Sequence, residues 1–169
     1  MYLADLDKYP KLASFIAGQL PAVYFSEKIC KNIKNYGSLN AAKFRHALVW
    51  GTFPNVVVRP LDNDYCNVPR ALGCYDGDAN EDQIMIDKSL VEAFEKNPND
   101  ASVRFLTKKG VSLPIVGGVL LHELCHWGNR KASRSEAGRE LGEEFELATY
   151  GVKIVRGVGF DDEGSIMKD

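Results

Sequence analysis

Histidine is the scarcest informative residue in this chain of 169 residues, which has only His46, His122 and His126. An excess of positive charge is also missing, because 21 Lys and Arg stand against 23 Asp and Glu, giving a formal net charge of −2. This balance excludes a generic nucleic-acid binder, which needs surplus cations to neutralise phosphates. Dominant disorder is excluded as well, since 45% of the residues are hydrophobic and the net charge is low.

Long hydrophobic runs are absent too. The longest extends from Leu113 to Leu121, nine residues including two Gly, far short of the roughly 20 that a membrane-spanning helix needs. The first 15 residues, MYLADLDKYPKLASF, carry acids where a secretory signal has its basic region, and they lack a long apolar stretch. We therefore expect synthesis in the cytoplasm and no cleaved signal peptide, so that any export follows another route.

Cysteine is sparse, and no CxxC pair occurs, so a thiolate zinc site is not indicated. Cys66 and Cys74 lie eight residues apart across a segment that contains Pro and Gly. Their spacing is compatible with a disulfide and equally with two free thiols. Cys125 is expected to be a small core residue.

The predicted elements indicate one domain over residues 1–169 and an α+β fold, in which a small sheet packs on helices. Periodicity, β-branched runs and Pro or Gly breaks define the elements. They are, in chain order, a helical part over 1–36, a helix or strand over 43–50, a strand over 55–59, an irregular loop over 61–80, a strand over 83–86, a helix ending near residue 96, helices over 113–127 and 136–150, and a frayed tail over 161–169.

Two of the three histidines belong to an HExxH motif, His122-Glu123-Leu124-Cys125-His126. Positions i and i+4 of a helix lie on one face, so both imidazoles are placed to bind one Zn²⁺. Glu123 follows the first histidine directly and is predicted to act as general base on a zinc-bound water. The motif predicts a zinc-dependent hydrolase.

The third metal ligand is predicted to be a carboxylate. A metzincin would have Gly at position 129 and His at position 132, whereas this chain has Asn129 and Ala132. No histidine follows His126, so the acids of the predicted helix over 136–150 are the candidates. Glu146 is our first choice and Glu143 the second, although periodicity alone does not choose among the acids.

Residues 120–130, LLHELCHWGNR, and the pattern ExGxxFExxxYG over 140–151 resemble the zincin metallopeptidase domains of bacterial polymorphic toxins, including type VI secretion effectors. The resemblance covers about residues 83–151. It implies a zincin-like α+β fold, with a small mixed sheet packed on helices and an HExxH active-site helix. Residues 83–87 would then form the edge strand beside the cleft. It also implies His122, His126 and Glu146 as zinc ligands, in the gluzincin manner, with Glu123 as the base.

A peptidase also needs a donor for the oxyanion that forms when water attacks the amide. Tyr150 is our candidate, because it lies one turn beyond Glu146 and can either serve as the donor or orient a ligand. Tyr65, Tyr75 and His46 are alternatives, and His46 is better explained as a surface residue.

The acidic segment Asp76–Asp82 has some likeness to a calcium-binding loop. It lacks Gly at the sixth position, where Glu81 stands, and Glu at the twelfth, where Asp87 stands. We therefore predict a turn that precedes the second strand.

Taken with the resemblance, these features predict a zinc metallopeptidase that acts as an antibacterial effector toxin on a protein or peptide substrate. A cognate immunity protein and a secretion-system carrier would be its partners. Delivery would follow a contact-dependent route into a target cell, whose periplasm is one candidate compartment. Two alternatives remain open: a cytosolic regulatory metallopeptidase, and a non-catalytic binding module stabilised by zinc. Glu123 argues against the module, which has no need of a general base.

Overall fold

The computed structural model describes residues 1–61 and 71–154, and the structural statements below concern these residues. The helices are α1 (Pro10–Ser14), α2 (Glu27–Gly37), α3 (Ala41–Leu48), α4 (Lys88–Lys96), α5 (Ile115–Lys131) and α6 (Leu141–Tyr150). The strands are β1 (Tyr2–Leu3), β2 (Asn55–Arg59), β3 (Gly73–Cys74), β4 (Gln83–Asp87), β5 (Arg104–Leu106) and β6 (Ser112–Pro114). A π-helical turn (Phe15–Gln19) and a 3-10 helix (Leu20–Phe25) connect α1 to α2, and a short 3-10 helix (Ala101–Val103) precedes β5.

The main sheet has the strand order β1-β2-β4-β3. Strands β1, β2 and β4 run parallel, whereas β3 pairs antiparallel with β4. Strand β2 alternates buried and half-buried residues, as expected for a strand with one face on the core. The predicted α+β fold with a small mixed sheet against helices is confirmed.

The prediction that residues 83–87 form the sheet edge is wrong. Strand β4 is an inner strand, because β3 covers its outer side through the pairs Gly73↔Ile86 and Cys74↔Met85. Strand β3 has two residues and lies in a segment rich in Asp, Asn, Gly and Pro, whose composition is typical of a loop. So short a strand gives no alternation signal.

Helix α5 lies at the centre of the fold, with most of its residues buried. It continues to Lys131 beyond its predicted end, because Gly128 and Asn129 are buried in contacts with α2 and the segment after it. Helix α6 starts later than predicted, at Leu141. The reason is local: Ala137 and Gly138 have φ of 50° and 77°, which no right-handed helix contains.

Helices α2 and α5 approach closely at Gly128. A Cβ atom there would lie 2.1 Å from the carbonyl oxygen of Gly37 and 2.6 Å from Cγ of Leu39. A Cβ at Gly37 would lie 2.9 Å from Cα of Cys125. Cys125 is fully buried, as predicted for a core residue. Helices α2 and α5 can pack at this short distance because Gly37 and Gly128 have no side chains.

Some predictions concern residues outside the described part of the chain. Cys66 is one, so its pairing with Cys74 stays a prediction; Cys74 is disulfide-bonded, while Cys30 and Cys125 are free thiols. The tail over 161–169 is another. Within residues 1–61 and 71–154, no helix is long and apolar enough to cross a membrane.

Gly128→Ala should lower the free energy of unfolding by about 2 kcal/mol, because the added methyl group collides with backbone that cannot turn aside. Urea denaturation measures this. Gly18→Ala is the matched control, since a Cβ there meets nothing within 4 Å. Equal effects of the two substitutions would contradict the close-contact argument.

Candidate metal centre

Helix α5 places His122 and His126 side by side, one turn apart, with their Nε2 atoms 3.2 Å from each other. The preceding half of the helix, Ile115–Leu121, is wholly buried and holds the backbone in place. Ligand atoms of His122, Glu123 and His126 all lie within 4.8 Å of one another, a grouping that can hold a metal ion. The predicted HExxH motif on a helix is confirmed.

Each imidazole has a carboxylate on its Nδ1 side. His122 Nδ1–H donates to Oε1 of Glu146 at 2.7 Å. His126 Nδ1–H donates to both oxygens of Glu136 at 2.9 Å. An acceptor on Nδ1 keeps a proton on that nitrogen, so that Nε2 is the atom that can give up its proton and bind a metal ion. The two Nε2 atoms are thus the ring nitrogens that are placed to bind a metal ion.

Glu140, the residue just before α6, faces the opposite side of both rings. Its Oε1 lies 2.8 Å from Nε2 of His126 and 3.4 Å from Nε2 of His122. Tetrahedral zinc with bonds of 2.0–2.1 Å separates its ligand atoms by about 3.3 Å. The two nitrogens and this oxygen therefore fit a divalent ion such as zinc in size and in donor chemistry.

Glu146 and Glu143, the acids favoured from the sequence, lie elsewhere. One oxygen of the buried Glu146 accepts from Nδ1 of His122, and the other accepts the backbone N–H of Ile154 at 2.7 Å. Glu143 forms an exposed ion pair with Lys153. Glu146 as a metal ligand stays a prediction, and the structure places it on the far side of the imidazole from Nε2.

Glu123 is buried beside the two histidines, and its pKa is raised, because burial outweighs the opposing attraction of His122 and His126. Strand β3 reaches this carboxylate. A Cβ atom at Gly73 would lie 2.7 Å from Oε1 of Glu123 and 2.5 Å from Cγ1 of Val119. The sheet edge thus holds Glu123 in position through a residue without a side chain.

Asn129, at the position where a metzincin has Gly, joins Glu136 to helix α2. Its Nδ2 donates to the carbonyl oxygen of Tyr36 at 2.7 Å and to Oε1 of Glu136 at 3.1 Å. Its Oδ1 accepts from the hydroxyl of Ser38 at 2.7 Å. Asn129 thereby orients the carboxylate that orients His126.

The acidic segment Asp76–Asp82 forms a turn, as predicted. Oδ1 of Asp76 accepts from the backbone N–H groups of Asp78 and Ala79, both at 3.1 Å. Two cations at the end of α5 bind its other carboxylates, Arg130 to Asp78 and Lys131 to Asp82. These ion pairs connect the turn before β4 to the C-terminal end of α5.

Residues 5–151 match the profile of the family described as metallopeptidase toxin 3. The chain belongs to this family. The description of this family agrees with the resemblance to zincin metallopeptidase toxins found in the sequence. The match also includes the N-terminal helices, which that resemblance did not cover. Neither a curated protein nor a solved structure matches the chain.

In this metallopeptidase toxin, Tyr150 lies in the core. Its ring makes edge contacts with Phe105 and Phe145, at centroid distances of 5.1 and 5.8 Å. Burial raises the pKa of its hydroxyl, with a further contribution from Glu146. A protonated hydroxyl is able to donate a hydrogen bond, and the role of Tyr150 as oxyanion donor or positioning residue stays a prediction.

Among the described residues, two other candidate donors, Tyr75 and His46, make no hydrogen bond with His122 or His126. The hydroxyl of Tyr75 donates to the carbonyl oxygen of Glu81 at 3.0 Å. His46 is exposed on α3, as expected of a surface residue. Tyr65 lies outside the described residues.

Four carboxylates surround two imidazoles in this centre. Burial works to lower the pKa of His122, but hydrogen bonds to Glu140 and Glu146 outweigh it and raise the pKa to about 11. For His126, hydrogen bonds to Glu136 and Glu140 likewise outweigh the effect of burial and raise the pKa to about 10. The surplus of negative charge favours a cation, and the toxin's centre suits a divalent metal ion.

Gly142→Ala should weaken zinc binding about 10-fold or more, by analogy with the loss of an outer-shell contact. A Cβ there would lie 2.4 Å from Nε2 of His122 and would push the ring aside. Alanine favours a helix more than glycine does, so α6 itself is not weakened. Zinc titration calorimetry measures the affinity, with Gly18→Ala as control. Unchanged affinity would show that the His122 ring is not confined by α6.

Proposed function

We propose that this toxin is a zinc-dependent endopeptidase of the gluzincin type, in which Glu123 is the general base. The arrangement of the HExxH residues carries the proposal: two Nε2 atoms lie 3.2 Å apart, with a buried carboxylate beside them. Membership of a metallopeptidase toxin family supports peptide-bond hydrolysis as the reaction. A binding module would not need a desolvated carboxylate at this position.

His122 and His126 would hold the ion through Nε2, together with one carboxylate from the segment that follows α5. Zinc, when bound, lowers the pKa of a coordinated water and polarises the peptide carbonyl. The carboxylate of Glu123 accepts a proton from the attacking water and passes it to the leaving amine. One buried carboxylate beside both histidines can serve both steps, because it holds the proton between them.

Two packing contacts keep this chemistry aligned. Gly73 of β3 limits the movement of the Glu123 carboxylate, and Gly142 of α6 limits that of the His122 ring. Fixed groups of this kind lower the reorganisation that the reaction would otherwise require. The sheet edge and α6 thus orient the base and one ligand from opposite sides.

The biological role that we propose is that of an antibacterial effector, made in the cytoplasm and delivered into a competing cell by a contact-dependent secretion system. A protein or peptide of the target cell would be the substrate. A cognate immunity protein would protect the producing cell, and a carrier protein would take the toxin to the secretion machinery. The toxin family supports a substrate and an immunity partner.

Glu123→Gln should lower hydrolysis by about 10²- to 10⁴-fold, because the amide cannot accept the proton. Zinc content should remain at one ion per chain, as measured by elemental analysis, since Glu123 is not a ligand. Glu143→Gln is the matched control at the surface, where the side chain pairs only with Lys153 in the contacts described. Parallel loss of zinc and hydrolysis would make Glu123 structural.

Expression in a bacterial host should arrest growth when the toxin is directed to the compartment that contains its substrate. The toxin would be produced with and without a periplasmic export signal, and growth curves would be compared with those of the Glu123→Gln variant. We expect arrest in at least one compartment and normal growth with the variant. Normal growth with the wild-type chain in both compartments would contradict the toxin role.

A further inference from the structure

The acids after α5 have three different relations to the two imidazoles, and these separate the metal ligand from its supports. We propose that Glu140 is the third metal ligand, and that Glu146 and Glu136 are positioning residues that hold the two imidazoles through Nδ1. This inference deepens the proposed function and depends on it. It reassigns the role that the sequence pattern gives to Glu146.

Distance is the first argument for Glu140. Its Oε1, Nε2 of His122 and Nε2 of His126 form a triangle with sides of 2.8, 3.2 and 3.4 Å. The ligand atoms of tetrahedral zinc form triangles with sides of about 3.3 Å, so one ion can bind all three atoms with little movement. Three protein ligands would leave one position of a tetrahedral ion for water or substrate, as in catalytic zinc sites generally.

The surroundings of Glu146 are the second argument. Nδ1 and Nε2 point away from each other across the imidazole ring, and Glu146 is bonded on the Nδ1 side of His122. Its second oxygen accepts the N–H of Ile154. To reach the metal, this buried carboxylate would break both hydrogen bonds and leave a backbone N–H and a ring N–H without an acceptor.

The Nδ1 atoms of both imidazoles already have carboxylate partners other than Glu140. Histidine ligands commonly donate their second ring N–H to a carboxylate, which fixes the ring and strengthens the ligand. Glu146 does this for His122, and Glu136, itself held by Asn129, does it for His126. Glu140 has a half-exposed side chain, makes no cap hydrogen bond to α6, and contacts the Nε2 atoms of both rings.

Three isosteric substitutions test the assignment: Glu140→Gln, Glu146→Gln and Glu136→Gln. Zinc affinity would be measured by competition with a chromophoric chelator. Glu140→Gln should weaken binding by more than about 100-fold, beyond the range for outer-shell residues. Glu146→Gln and Glu136→Gln should weaken it by about 10-fold or less, because an amide oxygen still accepts the Nδ1–H bond. Glu140→His, which restores a ligand atom, should recover most of the affinity.

Cobalt(II) substitution gives a second measurement that does not depend on affinity. At saturating Co²⁺, loss of an inner carboxylate changes the visible absorption bands of the ion. Glu140→Gln should change these bands, whereas Glu146→Gln should leave their pattern intact. Glu143→Gln controls for the removal of a surface charge, and circular dichroism of the metal-free chain verifies the fold of each variant.

The outcomes separate this inference from the proposed function. If Glu146→Gln loses the most affinity and changes the cobalt spectrum while Glu140→Gln resembles the wild type, the ligand is Glu146 and the zinc peptidase proposal stands. Equal losses for all three variants, with equal spectra, also overturn the assignment. If His122→Ala retains full zinc affinity, the metal site itself is wrong and both proposals fall.

Discussion

The convergence of two imidazole nitrogens on one point is the constraint on which this structure depends. His122 and His126 are neighbours along a helix, but their Nε2 atoms meet at 3.2 Å only because each ring has one orientation. Carboxylates on both Nδ1 atoms fix that orientation, and the buried first half of α5 fixes the backbone below. Contacts within the protein therefore confine both rings: a carboxylate bonds each Nδ1, and Gly142 of α6 borders the His122 ring.

The supports come from parts of the chain that are far apart in sequence. Helix α2 reaches the centre through Asn129 and the close contact at Gly128, and the sheet reaches it through Gly73. Helix α6 supplies Glu146 and the surface of Gly142. A disturbance of any of these contacts would reach the candidate metal centre through a single residue, so the packing of the fold and the geometry of the centre are coupled.

Local signals in the sequence were sufficient for the HExxH helix, for β2 and β4, and for α4. Each depends on neighbouring residues alone: a motif, a β-branched run, or a helical stretch that ends at a Pro or Gly break. The sequence does not predict β3, because its pairing is long-range, and it does not single out Glu140 or Glu136 among the acids of the predicted helix. The faces of a helix over 136–150 can be compared only if that helix is continuous. Ala137 has a positive φ although it is not a glycine, and α6 begins only at Leu141. No simple composition rule predicts that backbone conformation.

Gly73 limits which substitutions the edge of the main sheet can accept. The space between β3 and Glu123 admits a hydrogen atom and nothing larger. Any side chain at this position would press on the proposed base and on Val119, both of which belong to α5. Glycine at position 73 therefore ties the sequence of the sheet edge to the position of the Glu123 carboxylate, although the two residues are 50 positions apart in the chain.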